Sequence, residues 1–202
     1  TMTSPNPPLR AAFIGGGANS AVGRAHFSAC RLDGLFDLQA GVFSRDAEVS
    51  IKSAELWGVD KRRVYRSITQ MLEVEAGCLD VVIVLSPTPA HFDHVSVALN
   101  AGFDVICEKS LAMTSEEAQS LGGLAARLGR RLLVTYNYSG YPLVRELRDL
   151  VGRGELGQIL ACQIEMPQEG FLRRASDGGP LIPQTWRRVD GSIPTVSLDL
   201  GS

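Results

Sequence analysis

The sequence predicts an α/β fold: a doubly wound parallel sheet followed by the beginning of a second α/β domain with an open sheet. Three observations predict it. From Leu9 onward, short apolar runs alternate with amphipathic stretches in a βαβα rhythm. The runs are continuous rather than alternating in polarity, which marks strands covered on both faces, as in a parallel sheet flanked by helices. After Gly157 the texture changes, and glycine, proline and polar residues dominate.

The elements follow in order. "LRAAFI" from Leu9 is the first strand, Ser20 to Arg31 the first helix, "LQAGVFS" the second strand and Ala47 to Trp57 the second helix. "RVYR" from Arg63 reads as a weak third strand, with a helix from Ser67. "DVVIVL" (Asp80 to Leu85) is the fourth strand, Ala90 to Ala101 a helix, and "DVICEK" from Asp104 the fifth strand. Thr114 followed three residues later by Glu117 is a capping-box pattern, and Gly129 can close the helix that it opens. "RLLVTYN" is a sixth strand, Pro142 to Val151 a helix that ends near Gly152 and Gly154, and "ILACQIEMP" an alternating strand. These elements place a first domain at 9–156, the incomplete start of a second domain at 157–202, and a mobile Pro-rich tail at 1–8.

Composition excludes several classes of function. Hydrophobic residues are 45% and charged residues 21%, ordinary for a soluble globular protein. No apolar run approaches the roughly 20 residues that span a bilayer. Net charge is -2 with no basic block, so nucleic acid is not expected as a partner. The four cysteines, Cys30, Cys78, Cys107 and Cys162, form no CxxC pair and have no histidine at metal-ligand spacing; they read as buried thiols in a reducing compartment, with no metal site. The N-terminus lacks the pattern of a secretory signal, so cytoplasm is expected.

"FIGGGANSAVGRAH", Phe13 to His26, places glycines between an apolar strand and a helix, the context in which glycines let the backbone approach a dinucleotide's phosphates. Gly15 and Gly17 stand at the strand end, Asn19 and Ser20 follow, and Gly23 comes six residues after Gly17 rather than three. The loop is longer than the simplest version, yet helix amides still point at an anion. The plain alternative is a glycine turn without a ligand. In "GVFSRD", Ser44 and Arg45 occupy the tip of the second strand where an NAD site usually has a carboxylate. A hydroxyl and a guanidinium suit a 2′-phosphate, so the cofactor reading is NADP or NAD with the balance toward NADP. A solvated turn is the other role open to Arg45.

Taken in order, "IGGGANSAVGRAH", "SPTPAH" (Ser86 to His91), "VICEKSLAMTSEEA" and "TYNYSGYPLVRELRDLVGRGELG" resemble the glucose-fructose oxidoreductase, inositol dehydrogenase and rhizopine-catabolism family, Gfo/Idh/MocA. The resemblance runs from about Leu9 to Ser202. It implies an NAD(P)-dependent oxidoreductase with an N-terminal Rossmann domain. It also implies a C-terminal open-sheet domain that binds a sugar or polyol and builds dimers or tetramers. Hydride would pass between a secondary hydroxyl and nicotinamide. The resemblance places Ser86, Pro87, Thr88 and His91 at the cofactor, with His91 equally able to cap or pack, and Glu108 beside them. Lys109 would be the catalytic lysine that polarises the reacting oxygen. Asn137 and Tyr138 would face nicotinamide or substrate, and Arg187 the cofactor's diphosphate or the substrate.

Two departures from the family pattern are visible. Ser110 replaces the family's proline after Lys109. A cis bond before a residue other than proline costs about 3–4 kcal/mol, so a trans Lys109–Ser110 peptide with a re-aimed lysine is expected. Asp199 matches an aspartate that a histidine should follow four residues later, beyond Ser202, so the 202 residues are expected to be part of a longer enzyme and poor at turnover alone. The competing readings are a dinucleotide-binding regulator without turnover and an NAD-assisted glycoside hydrolase.

Overall fold

A computed structural model describes residues 7–167, 172–175 and 177–200. Its secondary structure runs β1 (Leu9–Gly15), α1 (Ala21–Leu32), β2 (Phe36–Val42), α2 (Ala47–Trp57), α3 (Ile68–Val74), β3 (Val81–Leu85), α4 (His91–Asn100), β4 (Asp104–Glu108), α5 (Ser115–Leu128), β5 (Leu132–Thr135), α6 (Pro142–Gly152) and α7 (Thr195–Leu200). By its contacts the chain divides into two compact units, one ending at Thr135 and one beginning at Tyr136, upstream of the boundary expected near Gly157.

The first unit is built on a five-stranded, all-parallel sheet in the order β2-β1-β3-β4-β5. Its centre explains the unbroken apolar runs. In β1, Ala11 and Phe13 join one buried cluster, with Cys30, Leu38, Phe43 and Trp57, while Ala12 and Ile14 join another, with Met71, Val95, Leu99 and Leu121. All five residues of β3 are buried. Such strands have no solvent face on which a polar residue could sit. Phe13, Phe27 and Phe43 all pack against the Trp57 ring, at centroid distances of 5.7, 5.3 and 5.2 Å.

Helix ends follow local chemistry. Ser20, Asp46, Ser67 and Thr114 each cap a helix by accepting from a first-turn amide. At α5 the Thr114 hydroxyl accepts from Glu117 N, and the Glu117 carboxylate reaches one residue beyond the usual box to accept from Met113 N. Gly58 and Gly129 close α2 and α5 in the left-handed conformation, at φ 72° and 62°.

Two expected strands are corrected. "RVYR" is a 3-10 turn at Lys61–Arg63 followed by a single parallel bridge from Val64 to Gly41, so the expected sixth strand is the fifth. Arg63 is turned into an ion pair with Glu75, which is 3% exposed. The Tyr65 hydroxyl donates to the same carboxylate. Side chains committed to this network hold the segment by its own contacts rather than by a ladder. "ILACQIEMP" is not a strand: none of the described residues pairs with it. Alternation prescribes two faces, but a strand forms only against another edge. The cysteine expectation is half corrected: Cys30 and Cys107 are buried, and burial pushes both thiols up, whereas Cys78 and Cys162 are exposed. The expected tail lies mostly outside the described residues. Among those residues no helix is long and apolar enough to cross a membrane.

Candidate nucleotide-binding site

Chain order reverses between β1 and β3, which are adjacent although β2 lies on the far side of β1. In open parallel sheets such a switch point leaves a crevice at the carboxyl ends of the strands. The glycine loop lies there. Gly15 and Gly16 adopt φ 80° and 66°, the left-handed region that favours glycine. A Cβ on Gly15 would stand 2.8 Å from Ser86 N, at the end of β3. On Gly17 it would stand 3.1 Å from the Phe43 carbonyl oxygen, at the end of β2. The loop is thus pressed between its two neighbouring strand ends, at an approach that a side chain would block.

Gly23 completes the arrangement from inside α1. A Cβ there would lie 1.8 Å from the Gly16 carbonyl oxygen. The helix packs directly on the loop backbone, which the longer spacing of the glycines preserves. Further contacts hold the loop: Ser20 N donates to Gly17 O at 2.7 Å, Ala18 N to the Ser53 hydroxyl at 2.9 Å, and the Arg24 guanidinium to Ala18 O at 2.9 Å. The Ser20 hydroxyl accepts from Gly23 N. Ala21 and Val22, in the first turn, have no carbonyl a turn behind them, so their amides are available to an anion. Asn19 is exposed beside them.

At the tip of β2, the Ser44 hydroxyl accepts from Asp46 N at 3.0 Å and Arg45 is exposed. Asp46 is spent as the cap of α2, accepting from Glu48 N and Val49 N. No carboxylate therefore replaces Ser44 and Arg45 at that tip.

The ends of β3 and β4 are cross-linked by histidines. His91 is 1% exposed, with Nδ1 2.6 Å from Ser110 O and Nε2 2.6 Å from Ser86 O. Burial pushes its pKa below the usual histidine value, against two carbonyls that favour the charged ring. Both ring nitrogens lie against carbonyls, so His91 ties two loops together, the packing role left open to it beside the cofactor one. His94 Nδ1 meets the Ser86 hydroxyl at 2.9 Å. Burial holds His94 low as well, helped by His91 and by the charge of Arg45. Pro87 is exposed and Thr88 buried, in a 3-10 turn between β3 and α4.

Glu108 ends β4 with its carboxylate accepting from the Thr135 hydroxyl at 2.9 Å and 2.7 Å from His26 Nε2. Burial raises its pKa, but these hydrogen bonds and the His26 charge outweigh that and leave it below the usual value. Glu108 thus braces α1 and β5 against β4. Lys109 follows at the strand end, half-buried. The Lys109–Ser110 peptide is cis, which corrects the expected trans bond. Ser110 is 7% exposed and its carbonyl faces His91, so buried contacts rather than a proline ring set the backbone there.

The comparisons agree with this geometry. Residues 9–136 match the model of an oxidoreductase family with an NAD-binding Rossmann fold, Gfo/Idh/MocA. The chain belongs to that family. The oxidoreductase YfiI of Bacillus subtilis is 37% identical over 96% of the chain and 50% of its own length, and D-glucoside 3-dehydrogenase of Escherichia coli 32% identical over 95% and 54%. An inositol dehydrogenase homologue from Azotobacter vinelandii, solved with NADH and myo-inositol, superposes with a TM-score of 0.72 at 39% identity, covering 75% of this chain and 41% of that one. The chain spans about half the length of the curated relatives that it matches.

In the second unit, Asn137 and Tyr138 are exposed within a 3-10 turn, and the Tyr138 ring stacks on Tyr141 at 5.7 Å. Asp199, on α7, pairs with Arg187 at 3.2 Å, and the Arg187 guanidinium lies over the Trp186 ring. The two expected site residues therefore engage each other. Sequence reasoning missed Ser53, His26 and Thr135, whose partners are distant in sequence. It named Gly23 without seeing that the residue touches the loop.

Proposed function

We propose that this chain supplies the cofactor half of an NAD(P)-dependent dehydrogenase acting on a secondary hydroxyl of a sugar or polyol. The observation that carries the reading is the glycine cradle: Cβ atoms at Gly15, Gly17 or Gly23 would meet backbone, so loop, strand ends and helix close up only with glycine there, and α1 begins with the exposed Ala21 and Val22 at the switch point of the sheet. That cradle fits a pyrophosphate. When bound, a nicotinamide dinucleotide supplies hydride transfer.

The chain's own residues do the rest. Gly15, Gly17, Asn19 and Ser20 hold the diphosphate at the helix end, where the dipole favours an anion. Ser86, Pro87 and Thr88 border the cofactor on the far side of the crevice, steadied through Ser86 by His91 and His94. Glu108, fixed by His26 and Thr135, sets the strand end from which Lys109 stabilises alkoxide character on the reacting oxygen. Ser44 and Arg45 receive the 2′-phosphate of NADP, since Arg can bind it through two parallel hydrogen bonds. Asn137, Tyr138, Arg187 and Asp199 keep the substrate and cofactor roles that the family resemblance gives them. Substrate chemistry is supported by relatives named for D-glucoside and inositol dehydrogenation.

The test is a steady-state screen of the full-length protein against sugars and polyols with NAD and NADP, repeated with Lys109→Met. Turnover that falls about 100-fold or more in the variant, with nucleotide affinity intact, supports the reading. Unchanged turnover removes Lys109 from the chemistry. Nucleotide binding without turnover on any polyol favours a regulator.

A further inference from the structure

A cleft of ≈ 240 Å³ lies beside the tip of β2, and its lining includes Ser44, Arg45, Ser50, Tyr65 and Arg66. Ligand pockets for whole drug-sized molecules usually span about 300–1,000 Å³, so this one suits one end of a dinucleotide. Its electrostatics are uneven. Among the described residues neither Arg45 nor Arg66 has a carboxylate partner. The nearby carboxylates are committed elsewhere: Asp46 caps α2, Glu48 pairs with Lys52 at 2.7 Å, and Glu75 pairs with Arg63. Two guanidinium groups thus share one cleft without a counter-ion. Ser50, 4% exposed, also lines it, and its hydroxyl has no hydrogen-bond partner. An unpaired buried hydroxyl carries a desolvation cost that a bound polar group could relieve after a side-chain rotation.

The backbone that leads to Arg66 is anchored. Val64 bridges Gly41, and Tyr65 N donates to Gly41 O at 2.9 Å. The Tyr65 hydroxyl donates to Glu75 at 2.9 Å, and Arg63 donates to Gln39 at 2.8 Å as well as to Glu75. The residue that follows Tyr65 therefore leaves a segment anchored to β2 on both sides of the chain.

We infer that Arg66 is a second specificity-determining residue for the 2′-phosphate, closing on it in the cleft that it lines together with Ser44 and Arg45. The inference rests on the NADP reading above. A phosphate monoester carries about 1.5 to 2 negative charges at neutral pH, which one arginine matches only in part. Arg66 supplies the remainder. Its guanidinium acts in register with Arg45 because both emerge from backbone fixed to the same strand.

Fluorescence titration of the full chain with NADPH and with NADH, for the unmodified protein and for Arg45→Ala, Arg66→Ala and Arg66→Lys, tests this. Competition by adenosine 2′,5′-bisphosphate against 5′-ADP reports the phosphate alone. Arg66→Ala should weaken NADPH about 10- to 100-fold, as for charge-assisted hydrogen bonds, while NADH changes less than about twofold and thermal melting is unchanged. Arg66→Lys should recover part of the loss, keeping charge without the fork. If the unmodified protein prefers NADPH and Arg45→Ala removes that preference while Arg66→Ala does not, the inference about Arg66 is overturned and the NADP reading stands. If the unmodified protein binds NADH at least as tightly, the NADP reading falls and this inference with it. Equal weakening of both nucleotides by Arg66→Ala would place Arg66 on the adenine and overturn the phosphate role.

Discussion

Replacing Gly23 with alanine should uncouple α1 from the glycine loop. The added methyl would lie 1.8 Å from the Gly16 carbonyl oxygen, 2.5 Å from its carbon and 2.9 Å from the Gly17 oxygen. The first of these falls roughly 1.5 Å short of an ordinary contact. The opposing atoms are main chain, so no side chain can rotate away, and helix or loop must retreat. Hydrogen bonds to an anion operate at about 2.7–3.2 Å, and a retreat of 1 Å or more takes the Ala21 and Val22 amides out of range. Overpacking of this kind costs about 1–3 kcal/mol of stability. Loss of two charge-assisted hydrogen bonds should lower nucleotide affinity at least about 100-fold. The assay is nucleotide fluorescence titration beside a thermal melt. Gly122→Ala is the internal control: this glycine lies exposed inside α5, nothing stands within 4 Å of an added Cβ, and alanine there should leave binding alone. A Gly23→Ala protein that binds NADH and NADPH within about twofold of the original would refute the close-packing argument.

Other outcomes follow from the same structure. Gly122→Ala should raise stability by about 0.4–1 kcal/mol, measured by urea unfolding, because alanine loses less backbone freedom on folding. Glu75→Gln should lower stability by about 3 kcal/mol, since it leaves the Arg63 guanidinium without its carboxylate in a mostly buried place. The Arg63 hydrogen bonds hold the Glu75 carboxyl below its usual value against burial, so its stabilisation is present above about pH 4.3 and lost as pH falls through the lower folded-state value. Asp80 behaves likewise beside the start of β1, held down to about 2 by hydrogen bonds from the Arg10 side chain and backbone. Its contribution is complete above about pH 3.9 and disappears toward pH 2. Acid titration of Asp80→Asn, followed by circular dichroism, should lack that part of the transition.

Local signals were legible in the sequence because they act over a few residues. The β1 and β3 runs are buried on both faces, Thr114 and Glu117 cap α5, and Gly129 closes it. The glycine loop was legible for the same reason, as was the absence of a carboxylate at the tip of β2. What escaped reading depends on partners far along the chain. His26 meets Glu108 across 82 positions, and the two carbonyls that enclose His91 come from different loops. "RVYR" has strand-like composition, yet Arg63 and Tyr65 spend their side chains on Glu75, and one bridge remains of the expected ladder. "ILACQIEMP" shows that alternation describes faces and leaves pairing open. Serine after Lys109 argued for a trans peptide on local cost, whereas contacts through His91 and the buried Ser110 govern that loop.

The central claim is that the glycine loop and the first turn of α1 grip a dinucleotide. Amide chemical-shift mapping of the isotope-labelled protein during NADPH titration tests it most directly. The account predicts the largest shifts at Gly15 to Val22, followed by Ser44, Arg45 and Ser86. Saturable binding that leaves those amides unmoved while shifting others would contradict it.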